Sequence, residues 1–180
     1  MQTASGLSWS LSRLTADALE ASVDDLGTLL HACVLAGASV GFVLPFPPEA
    51  AAAFWRTKVL PGVARGGTVL LVAREAGRLV GTVQLDADTP ANQPHRAEVR
   101  KLLVHPDARR RGLARTLMAA IEAEARALGR SLLTLDTRTG DAAEPLYASM
   151  GYSTAGVIPG YCLDVDRTHL DATTVMYKGI

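Results

Sequence analysis

At 180 residues, 48% hydrophobic and 20% charged, the chain has the size and balance of one domain with its own core rather than of a disordered segment. Its 18 Lys and Arg are matched by 18 Asp and Glu, so it lacks the basic surplus of a general nucleic-acid binder, and no nucleic-acid partner is expected. The longest weakly polar run, residues 31–46, is broken by glycines and too short to span a bilayer, so no membrane partner is expected either.

Met1-Gln2-Thr3-Ala4-Ser5 lacks the charged and apolar blocks of a signal peptide. Residues 9–14 read as a short first strand, with Trp9, Leu11 and Leu14 apolar. Thr15 is a candidate N-cap for a helix reaching about residue 36, with Leu19, Val23, Leu26, Leu29, Leu30 and Val34 on its apolar stripe. Cys33 and Cys162 lie far apart without metal spacing and read as free thiols of a cytoplasmic protein, and the four histidines show no ligand spacing, so no metal is assigned. Residues 37–42 break the helix. Pro47-Pro48-Glu49 opens a second one running to about residue 63 and carrying Phe54 and Trp55.

A hairpin follows, with strands over 68–74 and 79–85 and a turn at Glu75-Ala76-Gly77-Arg78. The polar stretch 86–94 holds two prolines and reads as a loop, and 97–104 as the fourth strand, which His105-Pro106-Asp107 ends. A long amphipathic helix spans 113–128, with Leu113, Leu117, Ile121 and Leu128 on the apolar stripe and Glu122, Glu124 and Arg126 mostly opposite. Gly129 stops it. Residues 131–136 form a buried strand, 142–150 a short helix, and 152–158 and 173–177 two final strands. This order gives a mixed sheet of about seven strands with helices on both faces, and 97–136 a right-handed parallel crossover.

Between the fourth strand and the long helix lies Arg109-Arg110-Arg111-Gly112-Leu113-Ala114. The first N–H groups of a helix have no internal partner, and the macrodipole adds positive charge, so such a start binds phosphate. A side chain at Gly112 would hold a diphosphate away from the backbone. A plain surface turn with solvated arginines is the alternative; the succession of strand, basic turn and helix favours the anion site.

Three segments together resemble the GCN5-related N-acetyltransferase (GNAT) superfamily: Glu98-Val99-Arg100-Lys101-Leu102-Leu103-Val104-His105-Pro106, the Arg109-x-x-Gly112-x-Ala114 turn, and Leu146-Tyr147-Ala148-Ser149-Met150-Gly151-Tyr152. More narrowly, residues 37–42, Arg96-Ala97-Glu98-Val99, Leu135-Asp136-Thr137 and Pro159-Gly160-Tyr161-Cys162 resemble the tabtoxin resistance acetyltransferases. The resemblance implies an α/β fold whose mostly antiparallel sheet splays between its fourth and fifth strands. It implies acetyl-CoA as co-substrate, with the acetyl group passing directly to an amine. The acceptor would be a small molecule such as a toxin or antibiotic; a metabolite, polyamine or protein amine is the alternative, as is an acyl-CoA-binding regulatory module without catalysis. A homodimer is also implied, built on the C-terminal strands or on an exposed Trp-bearing helix.

The resemblance also assigns roles. Arg109, Arg110, Arg111, Gly112, Leu113, Ala114 and Arg115 would hold the diphosphate, and Leu102, Leu103 and Val104 would run beside the pantetheine arm, with an N–H near Leu102 or Leu103 polarising the acetyl carbonyl. Gly140 stands where the family often has Asn, and Asp141 is the candidate substitute. Tyr147 is the candidate general acid toward the CoA sulfur, since a phenol is protonated at neutral pH; a core aromatic is the alternative. Glu98 is the favoured base and Asp136 the second. A strand-end surface carboxylate and a turn residue are the respective alternatives, and both could simply attract a cationic amine. The acceptor site would be walled by 37–42, 47–63 and 158–171, with Tyr161, Asp164 and Asp166 as candidate contacts.

Overall fold

The computed structural model describes residues 9–180; the leader reading of Met1 to Ser5 lies outside them. Seven strands form one sheet in the order β1-β2-β3-β4-β5-β7-β6: β1 Ser10–Arg13, β2 Thr68–Glu75, β3 Arg78–Asp86, β4 Arg96–Val104, β5 Leu132–Arg138, β6 Ser153–Leu163 and β7 Leu170–Gly179. Every neighbouring pair is antiparallel except β4 and β5. These two are joined by helix α5, Leu113–Ala127, as a parallel pair needs.

Helices cover both faces. On one lie α1 Ala16–Ala21, α2 Val23–Leu35, α3 Pro48–Phe54 and α4 Leu60–Ala64, burying Leu19, Leu26, Leu30 and Trp55 against Leu70, Val72 and Leu103. On the other, α5 and α6 Ala143–Ser149 bury Leu117, Met118, Ile121 and Tyr147 against Val83, Leu85, Leu133 and Leu135. Each face of the sheet thus has its own apolar layer, which is why β2 carries an unbroken apolar run from Val69 to Ala73.

The helix expected over 15–36 starts as its cap requires, with the Ala18 N–H donating to Thr15 Oγ1 at 3.2 Å. It breaks at Ser22, whose hydroxyl accepts from Arg74 on β2. The helix expected over 47–63 opens into a π-turn at Trp55–Val59. Pro61 lies inside that run, where it offers no N–H and crowds the carbonyl four residues back, so the ladder widens. Trp55 is fully buried, so this Trp is not part of an exposed surface on that helix. On α5, Leu128 is exposed and Glu122 is buried, the reverse of the sequence reading. Glu122 accepts from Lys178 Nζ of β7 through both oxygens at 2.8 and 2.7 Å, so its charge is paired rather than solvated.

Two irregularities shape the middle of the sheet. Along β3 and β4, Thr82 faces Leu103 but Gln84 faces Arg100, so β4 carries an extra residue there. Lys101 sits in that bulge with φ +48°, and its carbonyl accepts from Thr82 Oγ1 at 3.1 Å. Between β4 and β5 the pairing covers only Arg96, Ala97 and Glu98 against Leu132, Leu133 and Thr134. Beyond Glu98 the strands part, as the resemblance implied. Strands β6 and β7 run further than expected, so much of 158–171 is a hairpin rather than a loop.

Candidate active site

The splay opens a cleft of about 990 Å³, running from the start of α5 past β4 to the segment between α2 and α3. Within it the structure gathers Glu98, Leu102, Leu103, Val104, Arg109, Arg110, Gly112, Leu113, Ala114, Arg115, Asp136, Asp141 and Tyr147. Arg111 is not among them. Its guanidinium pairs with both oxygens of Glu75 and lies over Trp9, 5.4 Å from the ring centroid, so it ties the turn to β1 and β2.

The mouth of the cleft is built from main chain. Arg110 has φ +61° and Gly112 φ +87°, which folds the turn sharply into α5. No side chain caps the helix. The N–H groups of residues 110–115 find no acceptor among the described residues, main-chain or side-chain. Six successive unpaired donors at a helix start form an anion cradle. An ideal Cβ on Gly112 would meet nothing within 4 Å, so the space over the cradle is open. Arg109 donates from Nε to the Val104 carbonyl at 3.2 Å, and Arg115 from Nη2 to Ser149 Oγ at 2.6 Å, which fixes two cations beside the cradle. The donor set and the open space fit a diphosphate.

Further in, β4 stays paired with β3 but has no strand on its β5 side from Val99 onward, so the main-chain groups of that side face the cleft. Tyr147 comes from α6, nearly buried, its ring 5.9 Å from that of Tyr152. Burial first, then the fields of Asp141 and Asp136, push its phenol well above the ordinary range, so it holds its proton. Asp141 accepts from the Ala142 N–H and from Arg138 Nη2, so its carboxylate is engaged within its own turn, and Gly140 N–H donates to Glu144.

Glu98 and Asp136 both line the cleft, but differently. Arg100 holds Glu98 in a two-bond fork, Nε to Oε1 at 2.7 Å and Nη2 to Oε2 at 3.0 Å. Asp136, in the second half of β5, is exposed and among the described residues accepts only from Thr173 Oγ1 at 3.2 Å. The three expected acceptor walls do converge, through residues 37–41, Phe54, Lys58, Tyr161 and Cys162. Asp164 does not take part: it accepts from the Thr168 and His169 N–H groups at the hairpin tip, and Asp166 lies in the same turn.

Sequence reasoning gave no role to Lys101, Gln84, Cys33 or Thr173, which also line the cleft. One signal existed for Lys101: it follows Arg100 directly and so breaks the alternation of charged and apolar residues that runs from Arg96 to Arg100. The others required the tertiary fold.

Residues 38–152 match the model of the family described as the Acetyltransferase (GNAT) family. Over 124 residues the chain is 36% identical to an uncharacterized N-acetyltransferase from the hisH-hisA intergenic region of Azospirillum brasilense, covering 67% of this chain and 71% of that protein. Over 92 residues it is 37% identical to an IAA acetyltransferase of the same organism, covering 51% and 58%. Among solved structures, a ribosomal-protein-alanine N-acetyltransferase from Brucella melitensis superposes with TM-score 0.75 at 23% identity over 95% of this chain and 99% of that one. A putative acetyltransferase, yncA, from Salmonella typhimurium, solved with its cofactor acetyl-CoA, gives 0.72 at 20% identity over 94% of each chain. Taken with the splayed sheet and the cradle at the start of α5, the match over residues 38–152 means that this chain belongs to the GNAT acetyltransferase family.

Proposed function

We propose that the protein transfers the acetyl group of acetyl-CoA to the amine of a small hydrophilic molecule. The observation that carries this reading is the run of unpaired N–H groups over 110–115 at the mouth of a cleft that leads along an open strand edge to a protonated phenol. Acetyl-CoA, when bound, supplies an activated thioester. Everything else is asked of this chain's own groups.

The N–H cradle with Arg109, Arg110 and Arg115 anchors the diphosphate, since charge-assisted bonds are shorter and stronger than neutral ones. Leu102, Leu103 and Val104 present the open edge of β4 to the pantetheine arm, and the bulge at Lys101 redirects the main chain there, so that an N–H near Leu102 or Leu103 serves the acetyl oxygen. Tyr147 Oη supplies a proton at the sulfur. Asp136 is the freer of the two carboxylates and the better base for the amine. Glu98 must first exchange its Arg100 fork for the acceptor's ammonium, which suits an orienting role. Asp141 turns toward Arg138, so its part is to shape the loop beside the arm rather than to replace an Asn contact directly.

The acceptor is a small molecule, and a toxin or antibiotic bearing a free amine fits the narrower resemblance in residues 37–42 and 159–162. The expected homodimer would use the edge strand β6 and its neighbour β7, where Val157, Ile158, Leu170 and Tyr177 are exposed; sedimentation at micromolar concentration reads that state. For the activity, CoA release from acetyl-CoA is followed across a panel of amines. Release that matches acetylated amine one for one is the expected result. Tight acetyl-CoA binding without release for any amine marks a binding module and discards the transfer reading.

A further inference from the structure

Lys101 carries a charge that the described residues leave without a carboxylate. Its Nζ donates to the Val40 carbonyl at 2.7 Å and lies 5.7 Å from the ring centroid of Phe42 and 5.5 Å from that of Phe54. It makes no ion pair within 4.0 Å. An ammonium has three donors, and one is used. Burial pulls its pKa below the ordinary lysine value and Arg100 adds to that, while Asp136 on β5 and Glu98 on its own strand pull the other way. A half-buried cation facing a carbonyl and two rings is poorly compensated, because neither replaces an anion. A Met at this position would fill the aromatic slot without that cost.

The surroundings make the same request. Lys58, on the π-turn, lines the same wall and has no ion pair among the described residues. Gln84 lies between Val83 and Leu85, which pack toward α5, so its side chain points to the face where Phe42 and Phe54 lie. It is 5% exposed, lines the cleft, and its Nε2 has no partner among the described residues. Donors therefore gather on one side of the acceptor arm, and the carboxylates Glu98 and Asp136 line the same cleft. A ligand that satisfies both sets carries an anionic and a cationic end.

We propose that Lys101 anchors a carboxylate of the acceptor, so that the acceptor is a zwitterionic amino acid or an amino-acid-like compound, not a polyamine or a protein amine. This rests on the transfer reading above for the word acceptor, although carboxylate binding itself does not. The acceptor's ammonium end meets Glu98 and Asp136. The carboxylate takes the two open donors of Lys101 and displaces whatever water Phe42 and Phe54 have not already excluded.

The test uses CoA-saturated protein, titrated calorimetrically with the proteinogenic amino acids, their decarboxylated amines and their amides. A charge-assisted bond of this kind corresponds to roughly a tenfold to hundredfold gain in affinity. The expected result is at least one amino acid bound by that margin over both its amine and its amide, with the margin erased in Lys101→Met and CoA affinity unchanged. The proposal is overturned if no amino acid is preferred, or if Lys101→Met keeps the preference. Should the variant not fold, the acid-against-amide comparison on the unaltered chain decides in the same two directions. Carboxylate-dependent binding without CoA release sinks the transfer reading and leaves the anchor standing. CoA release with amine and amino acid alike does the opposite.

Discussion

The Thr82 hydroxyl donates to the Lys101 carbonyl at 3.1 Å, across the bulge that separates Leu103 from Arg100 in the pairing of β3 with β4. Thr82 is fully buried, so this bond has no solvent substitute. Thr82→Val keeps the shape and removes the donor. It should cost about 1–3 kcal/mol, because the carbonyl is left with an unmet lone pair. Chemical denaturation reads the loss as a lower midpoint at unchanged slope. Since the bulge directs β4 toward the cleft, kcat should fall with it; an unchanged kcat would separate the bulge from the chemistry.

Two arginines of the turn and its glycine should separate by experiment. Arg111 is bound to Glu75 and Trp9, so Arg111→Ala should lower the melting temperature and leave acetyl-CoA affinity nearly intact. Arg110 lines the cleft, and Arg110→Ala should weaken acetyl-CoA and flatten the salt dependence of binding. Gly112→Ala forces a side chain into φ +87°, which costs about 1–2 kcal/mol, and sets a methyl group in the cradle. A loss of acetyl-CoA affinity on the order of tenfold is expected beyond the stability effect.

Tyr147→Phe removes the proton donor and little else. Turnover should drop by about a hundredfold or more, the usual size of a general-acid contribution, while the acetyl-CoA dissociation constant stays put. The phenol is pushed above its ordinary value of 10.0 by burial and by two carboxylates. A raised pKa keeps the proton on as pH rises, so no alkaline fall in rate should come from this group below pH 10. A fall in that range that vanishes in the Phe variant would contradict the assignment.

Asp136 and Glu98 should differ in which kinetic constant they move. Asp136→Asn should lower kcat by about a hundredfold or more with a modest change in KM, as expected for a base. Glu98→Gln should raise KM for the amine most, because the Arg100 fork makes Glu98 a partner for charge rather than a ready proton acceptor. Equal kcat losses in both variants would mean that the two act as one unit.

The elements with strong local causes were legible in advance. Thr15 caps α1, Gly112 opens α5, Gly129 follows its end, and the hairpin turns at Ala76 and Gly77, all through backbone chemistry that a few neighbouring residues determine. The errors share a different cause. Ser22 breaks its helix where Arg74 reaches it from β2, Trp55 is buried in the helical layer where its segment packs on α2, and Glu122 goes inside because Lys178 is waiting there. None of these partners is near in sequence.

The same division holds for the site. The order of residues alone determined the anion cradle, since a glycine turn entering an amphipathic helix makes unpaired N–H groups wherever it occurs. It also offered two carboxylates and a phenol as candidates on β4, β5 and α6, and these line the same cleft. Only the tertiary structure decided which of them are free. It committed Arg111 to Glu75, clamped Glu98 to Arg100, left Asp136 open, and brought Val40, Phe42 and Phe54 around Lys101 from 47 to 61 residues away. Short-range rules act through bonds along the chain, whereas the pairing of charges depends on which distant surfaces folding presses together.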